Sequence, residues 1–411
     1  MTETSAVNLQ LPSSGRVHVV GAGPVGLMLT ALLQGSGRFS VHLYEKRREY
    51  TRTRMVRLAP YLVADSVESY SADHIDGETV EAVFDPSELE RMFAFRRTIP
   101  DDLMSLLREW TQGFCPLNSI EHALSELIDA RPPGVVERTS TVVSMDDATA
   151  MLEQGDVLID CTGSASLLRD RLLPDADTNE QSNTLSIRLE YALVVTFLYG
   201  QSYECNEFCK YFKNVDNANY KFIPAVHRTY YDGAVSHVTG IINIGEEDYQ
   251  AMPSRFDGEW LREHFPAVAE SMDRFIDQVR LETSGELLGD LEIVRIPLNL
   301  YRARNATNRR WLIAGSGEDP LARSPVFLLG DSAIGSPYFQ SISLGYENAM
   351  VLAGMLATPN LPLRDALDAY ELHAYKQWLR VYMRSKMIKH NKDLFEHVDD
   401  KWALLERLHI Y

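Results

Sequence analysis

Cysteine is scarce in this 411-residue chain, and the four present, Cys115, Cys161, Cys205 and Cys209, make no C-x-x-C pair. That spacing excludes zinc-finger and dithiol redox motifs and suits a reducing, cytoplasmic compartment. Basic charge is also short, since 40 Lys and Arg stand against 58 Asp and Glu for a net charge of −18. So acidic a chain lacks the electrostatic footprint that holds a phosphate backbone, and nucleic acid is not an expected partner. Long apolar runs are missing: stretches such as 192–198 fall far short of the ~20 residues that cross a bilayer. Residues 1–15 open on polar and acidic residues, so a frayed tail is expected there and not a secretory signal. Repeats and low-complexity linkers are lacking too. With 45% hydrophobic residues and two to three times the length of a ~150-residue domain, the composition predicts a soluble globular protein of more than one domain.

Turn clusters rich in Gly, Pro, Asp and Asn divide the chain into elements. Val17-His18-Val19-Val20 reads as a buried strand. Residues 24–34 follow as a helix with Leu27, Met28, Ala31 and Leu32 on one face, stopped by Gly35, and residues 40–45 form a second strand. This is a βαβ opening, and Val157-Leu158-Ile159-Asp160 and Val326-Phe327-Leu328-Leu329 read as further buried strands. Residues 184–243, rich in Tyr, Phe, Val and Thr with partial alternation, predict a separate antiparallel sheet. Helical spacing returns over 259–279 and 344–356, and the last fifty residues are helical in pattern.

Gly21-Ala22-Gly23-Pro24-Val25-Gly26 sits between the first strand and the first helix, and Glu45 ends the next strand 19 residues beyond Gly26. Gly21 permits a tight turn, Gly23 lets the backbone approach a pyrophosphate, and Gly26 allows close contact of helix and strand. The helix amino terminus offers free N–H groups to phosphates, and Glu45 can accept hydrogen bonds from ribose hydroxyls. The plainer alternative is a βα turn whose glycines serve packing alone. Far downstream, Gly330-Asp331 closes another strand. Its carboxylate can hold a polyol hydroxyl, and the following helix amino terminus can face a delocalised anion.

With these motifs in this order over residues 17–356, the chain resembles the FAD-dependent aromatic-hydroxylase superfamily, which includes p-hydroxybenzoate hydroxylase, kynurenine 3-monooxygenase and the styrene monooxygenases. The resemblance implies an α/β fold: a Rossmann-like FAD-binding domain with an inserted antiparallel β-sheet substrate domain and a helical C-terminal tail. The implied division is 15–70, 105–180 and 290–360 for FAD, 71–104 and 181–289 for the β-rich substrate domain, and 361–411 for the C-terminal helices. Gly21, Gly23, Pro24, Gly26, Glu45 and Lys46 are then expected at the adenosine diphosphate, and Gly330 and Asp331 at the ribitol. Arg54-Met55-Val56-Arg57-Leu58 looks like the family's arginine-bearing segment beside the flavin. Residues 156–169 are similar to its middle motif, with Thr162 and Gly163 at the cofactor. Pro337, Ser341 and Ser343 lie in the flavin loop.

Several positions depart from the family pattern. Thr162 stands where most single-component members carry aspartate, a version closer to styrene-type enzymes that receive reduced flavin from a partner reductase. Ser341 and Ser343 replace glycines, and serine resists positive φ, so a different path is expected for the flavin loop. Glu121 replaces an arginine, and that phosphate-side contact is expected to be missing.

The implied activity is monooxygenation of an aromatic or olefinic, largely apolar small molecule through a flavin C4a-hydroperoxide, with Arg54, Arg57, Tyr338 and Phe339 as the candidate residues at the reacting face. For Tyr338 and Phe339 the alternative is wall packing, and for either arginine a solvated surface position. NADPH or NADH is the expected reductant because Ser166 and Arg169 keep the family's Ser-x-x-Arg spacing, and a separate flavin reductase is the alternative. Two other readings keep the fold: an oxidase or dehydrogenase without oxygen insertion, and a ligand-binding descendant without flavin. The basic amphipathic stretch 376–392 is expected to pack on the acidic body of the protein and not on a membrane.

Overall fold

β-branched and other apolar residues in short runs build a parallel sheet from β1 Gly15–Val20, β2 Phe39–Tyr44, β5 Val136–Thr139, β6 Val157–Asp160 and β12 Val326–Leu328. The strand order is β12-β6-β1-β2-β5. The computed structural model describes residues 10–52, 55–72, 84–113, 115–132, 136–140, 144–153, 155–173, 182–200, 222–230, 235–283, 285–314, 320–336 and 341–396. Val17 pairs with Val41 of β2 on one side and with Val157 of β6 on the other, so β1 is central. The chain leaves β1 for β2 and β5 on one side, and β6 and β12 lie on the other. That reversal opens a crevice at the carboxyl ends of β1 and β6, where ligands of open α/β sheets bind.

Helix α1, Pro24–Ser36, begins on Pro24 and ends where Gly37 takes the left-handed conformation at φ 64°. The sequence pattern stops this helix at Gly35. Gly35 instead stays helical and makes room for Pro100, whose Cγ would stand 3.0 Å from a Cβ there, and the left-handed cap falls to Gly37. Leu27, Met28, Leu29 and Leu33 are fully buried, and α1 packs on two further helices, α4 Leu117–Ala130 and α7 Ser341–Ala357. Between β2 and α4 lie α2, Pro86–Arg96, opened by a reciprocal Asp85–Glu88 cap, and α3, Asp101–Gln112. Two short strands, β3 Met55–Val56 and β4 Cys115–Pro116, pair antiparallel.

The chain divides into two compact units, 1–187 with 300–385, and 188–299 with 386–411. Residues 86–104, grouped with the β-rich domain on sequence, therefore lie in the first unit as helices. Residues 290–299, grouped with the FAD domain, lie in the second. The second unit holds an antiparallel sheet of β7 Thr184–Gly200, β8 Phe222–Tyr230, β9 Val235–Ile244, β10 Arg255–Phe256 and β11 Glu286–Ala303, in the order β10-β11-β7-β9-β8. Alternate residues Leu193, Val195, Phe197 and Tyr199 of β7 face a core with Val238, Ile242 and Ile293. Met272 and Phe275 of α6, Pro266–Thr283, complete it. Phe197 and Tyr199 are thus sheet packing. Tyr203, Tyr211, Phe212 and Tyr220 lie outside the described residues. The helical stretch expected over 259–279 is broken: α5, Gly258–His264, stops at Phe265, which leaves helical geometry at φ −137° ahead of Pro266.

The last residues of β11 belong to the first unit, where Tyr301 pairs with Gly335 of β13, Ile334–Gly335. The C-terminal tail is one long helix over its described part, α8 Leu363–Glu396. Two of its basic residues bond to acidic partners of the same unit: buried Arg380 pairs with Glu347 of α7 at 2.6 Å, and Lys376 with Glu88. No helix among the described residues is long and apolar enough to cross a membrane.

Candidate functional site

The crevice at the switch point is a cavity of about 270 Å³, near the lower end for ligand sites, and all of its lining comes from the first unit. Gly21, Gly23 and Pro24 enter it from the β1–α1 turn, Glu45 and Lys46 from the end of β2, Thr162 and Gly163 from the end of β6, Gly330 and Asp331 from the end of β12, and Ser341 from the first turn of α7. Gly26 is buried behind this surface, where a Cβ would overlap the Gly21 carbonyl. Gly21 has φ 101°, and a Cβ there would sit 2.6 Å from the Cys161 carbonyl, so no other residue fits the turn. Val25 is wedged between two glycines: a Cβ on Gly345 would lie 2.5 Å from it, and one on Gly330 3.2 Å. That contact locks α1, the end of β12 and α7 into one frame around the cavity.

Beside Glu45, Lys46 and Asp331, two more charged residues that sequence reasoning passed over line the cavity. Arg47 and Arg52 line it, and each places an Nη2 3.7 Å from where a Cβ of Gly23 would stand, beside the backbone that a pyrophosphate approaches. Arg47 donates from its backbone N–H to Glu45 Oε1 at 2.9 Å, and its guanidinium grips both carboxylate oxygens at 3.1 Å. Burial pushes the Glu45 carboxyl up, but the hydrogen bonds and charge of Arg47 outweigh it and hold the group below the usual carboxylate range. Glu45 therefore lines the cavity with its carboxylate already engaged by Arg47. Arg52 pairs with Glu121, which is fully buried, with Arg47 Nη1 3.7 Å away. Glu121 Oε2 has no hydrogen-bond partner among the described residues. The arginine replaced by Glu121 is thus matched by a cation reaching in from Arg52, 69 residues earlier.

Asp160, at the end of β6, organises the middle motif. Its Oδ1 accepts from the Thr162 backbone N–H at 2.8 Å and the Thr162 hydroxyl at 2.6 Å, and its Oδ2 from the Ser166 hydroxyl at 2.6 Å and the Leu168 N–H at 2.9 Å. The Ser332 hydroxyl adds a bond to Oδ1 at 3.1 Å while accepting from Gly163 N–H at 3.0 Å. One carboxylate so ties the loop after β6 to the Gly330-Asp331-Ser332 turn after β12. Ser166 and Arg169 face inward. The Ser166 hydroxyl goes to Asp160 and accepts from Arg169 N–H at 3.0 Å, while the Arg169 guanidinium bonds the Ser164 carbonyl and lies 5.2 Å over the Tyr301 ring. Tyr301 in turn donates to the Asp331 carbonyl at 2.8 Å, and burial pushes its hydroxyl pKa up to about 12. Asp160 and Ser332 had no sequence signal beyond standing at strand ends.

The remaining candidates are placed apart. Ser343 is buried and accepts from the Ala59 N–H at 3.0 Å, holding the segment after β3 to α7 and not facing the cavity. Arg57 is exposed and is not among the cavity residues. Arg54, Pro337, Tyr338 and Phe339 lie outside the described residues. No group of three or more metal-ligating side chains occurs among the described residues.

A glycine turn, an acidic strand end and a Gly-Asp turn gathered at the switch point of a parallel sheet, in a chain that also carries a long antiparallel sheet, make up a mixed α/β fold. Among solved structures it is similar to 2-methyl-3-hydroxypyridine-5-carboxylic acid oxygenase, with a TM-score of 0.50, 16% identity and 96% of each chain covered. The Diels-Alderase PyrE3 of pyrroindomycin biosynthesis aligns with a TM-score of 0.48 and 16% identity over 96% of this chain and 77% of its own. Tetracycline destructase Tet(51) aligns at 0.47 and 12%, over 91% of this chain and 92% of its own. At these identities the likeness is one of fold. No family model and no curated protein matches the chain.

Proposed function

We propose that this protein binds FAD in the switch-point cavity and acts as a monooxygenase, placing one oxygen atom of O2 on an aromatic or olefinic, largely apolar small molecule. The observation that supports it is convergence: the Gly21–Gly26 turn, Glu45, Thr162-Gly163 and Gly330-Asp331, distant in sequence, line one cavity with two guanidinium groups over the glycine turn. Arg47 and Arg52 would hold the diphosphate, Glu45 the adenosine ribose and Asp331 the ribitol. Bound and reduced, FAD supplies the chemistry with dioxygen. The protein orients it and keeps water out. Titrating the purified chain with FAD checks the first half: flavin fluorescence should quench to one equivalent, and Asp331→Ala should weaken binding about tenfold. A parent that leaves FAD fluorescence unchanged overturns the assignment. Product mass under labelled O2 separates oxygen insertion from oxidase or dehydrogenase chemistry.

For the electron source, direct reduction by NADPH or NADH is the first reading, while Ser166 and Arg169 bond to Asp160 and Ser164 and lie outside the cavity lining. A second reading follows, in which a separate reductase supplies reduced flavin. Anaerobic mixing decides it: bleaching of the bound flavin by either nicotinamide alone rejects the second reading, and bleaching only after a flavin reductase is added supports it.

A further inference from the structure

A second cavity, of about 760 Å³, opens in the first unit between the carboxyl end of α1, α2, the carboxyl half of α7 and the start of α8. Its size is that of a small-molecule site. The floor is Met350, Val351 and Met355 of α7, and Met92 of α2 faces it, so three flexible thioether side chains adapt the wall to an apolar occupant. Three of the four charged residues at its edge are engaged with their own chain. Arg38 donates to the Ala357 carbonyl at 2.6 Å, Arg91 to the Ser87 hydroxyl at 3.3 Å, and Glu88 pairs with Lys376. Asp365, the fourth charged residue of the lining, is exposed, so the edge sets two arginines against two carboxylates and favours neither sign of ligand charge.

One polar group in the wall is fixed in a particular state. Arg380 donates to Gln377 Oε1 at 2.6 Å, which sets the orientation of that amide. The Gln377 NH2 therefore faces His373 Nε2 at 3.3 Å, making Nε2 the acceptor. Burial and the neighbouring Arg380 and Lys376 lower the His373 pKa to about 4 against the pull of Glu347 and Glu88, so the ring is neutral near pH 7. A neutral imidazole that accepts at Nε2 carries its proton on Nδ1. The ring lines the cavity, and no acceptor meets Nδ1 among the described residues.

We propose that this cavity is a second ligand site, separate from the nucleotide cavity, for a neutral and largely apolar small molecule whose carbonyl or ether oxygen accepts from His373 Nδ1. Neutrality follows from the balance of two arginines and two carboxylates at the edge, apolarity from the methionine-rich wall, and the acceptor from the tautomer that Arg380 and Gln377 impose. Helices α1 and α7 each reach both cavities: Pro24 and Ser341 line the first, and Leu32 and Met350 the second.

Nile red, a neutral dye with one ketone, is the probe. Its fluorescence should rise and shift to the blue with saturable one-to-one binding, in the presence of saturating FAD as in its absence. Ala94→Trp, at an exposed position of α2 that lines the cavity, and Ala369→Trp on α8 should each weaken that binding at least tenfold while the circular dichroism spectrum stays that of the parent. His373→Phe keeps the flat apolar wall and removes the donor, and should weaken binding about five- to tenfold. The proposal is overturned if the parent shows no saturable binding, if FAD displaces the dye, or if both tryptophan variants bind it like the parent.

Discussion

Asp160 shows how one side chain can organise a cavity without lining it. Four N–H or O–H groups of its own loop and the Ser332 hydroxyl from the next turn converge on a carboxylate that is fully buried. Asp160→Asn turns one of those acceptor oxygens into a donor facing donors. It should cost about 2–4 kcal/mol in urea unfolding, against about 1 kcal/mol for Ser332→Ala. Equal losses for the two variants would show that the carboxylate is not the hub. The Glu45–Arg47 pair yields a different kind of expectation, since the ribose and the guanidinium compete for one carboxylate. Arg47→Gln should weaken ADP binding about tenfold by removing a diphosphate partner, yet tighten the binding of adenosine, which has no phosphate and gains the released Glu45. Calorimetric titration of both ligands checks this, and a parallel change in the two affinities contradicts it. Gly21, Glu45 and Asp331 were legible in the sequence because each belongs to a short contiguous pattern. Asp160, Arg52 and Ser332 were not, because their roles arise only when segments 69 to 172 residues apart are brought together.

At the scale of elements, α7 and α8 are joined by a buried cluster in which Glu347 meets Arg380 at 2.6 Å, and Tyr70 bonds both. Arg96 adds a second buried guanidinium that donates to the Tyr61 carbonyl at 2.6 Å and stacks over the Tyr70 ring. Burial alone would push the Glu347 carboxyl up, but Arg380 and Arg96 overcome it and bring its pKa to about 2. Two acid-side losses of stability follow, and both have the sign of a depressed folded-state pKa. The contribution of His373 is complete above about pH 6.5 and is lost as pH falls towards about 4. That of Glu347, about 3 kcal/mol, is complete above about pH 4.5 and is lost towards about 2. Urea unfolding as a function of pH should show both steps in the parent, and Glu347→Gln should erase only the lower one. At neutral pH, Arg380→Met should destabilise by about 3–5 kcal/mol by stranding the carboxylate, and the double variant with Glu347→Gln should regain most of it. If the double variant is no more stable than Arg380→Met, the two side chains are not acting as a pair. The elements themselves divide by how local their signal is. β1, α1 and β2 were readable from an apolar run, a glycine turn and a 3.6-residue stripe. β11 was missed because Leu287-Leu288-Gly289-Asp290 interrupts its alternation, with Gly289 at φ 79°, and its partners β7 and β10 come from elsewhere in the chain.

For the whole molecule, the consequence of the two-unit division is that ligand linkage has an address. Every lining residue of the nucleotide cavity comes from the first unit, and ADP is the part of the proposed cofactor that this cavity would receive. A ligand stabilises the structure it binds by RT ln(1 + [L]/Kd), about 2.7 kcal/mol at a hundredfold excess over Kd, and only amides whose opening breaks the site feel that gain. ADP should therefore slow hydrogen exchange at the Gly21–Gly26 turn and in the first turn of α1. Exchange in β8 and β9, which belong to the second unit, should stay unchanged. FAD repeats the ADP pattern and adds protection wherever its other half rests, so subtracting one map from the other locates the flavin without assuming where it lies. Protection by ADP that appears in β8 and β9 as strongly as at Gly21 would show that the two units open together, and the assignment of the adenosine half to the first unit alone would fall.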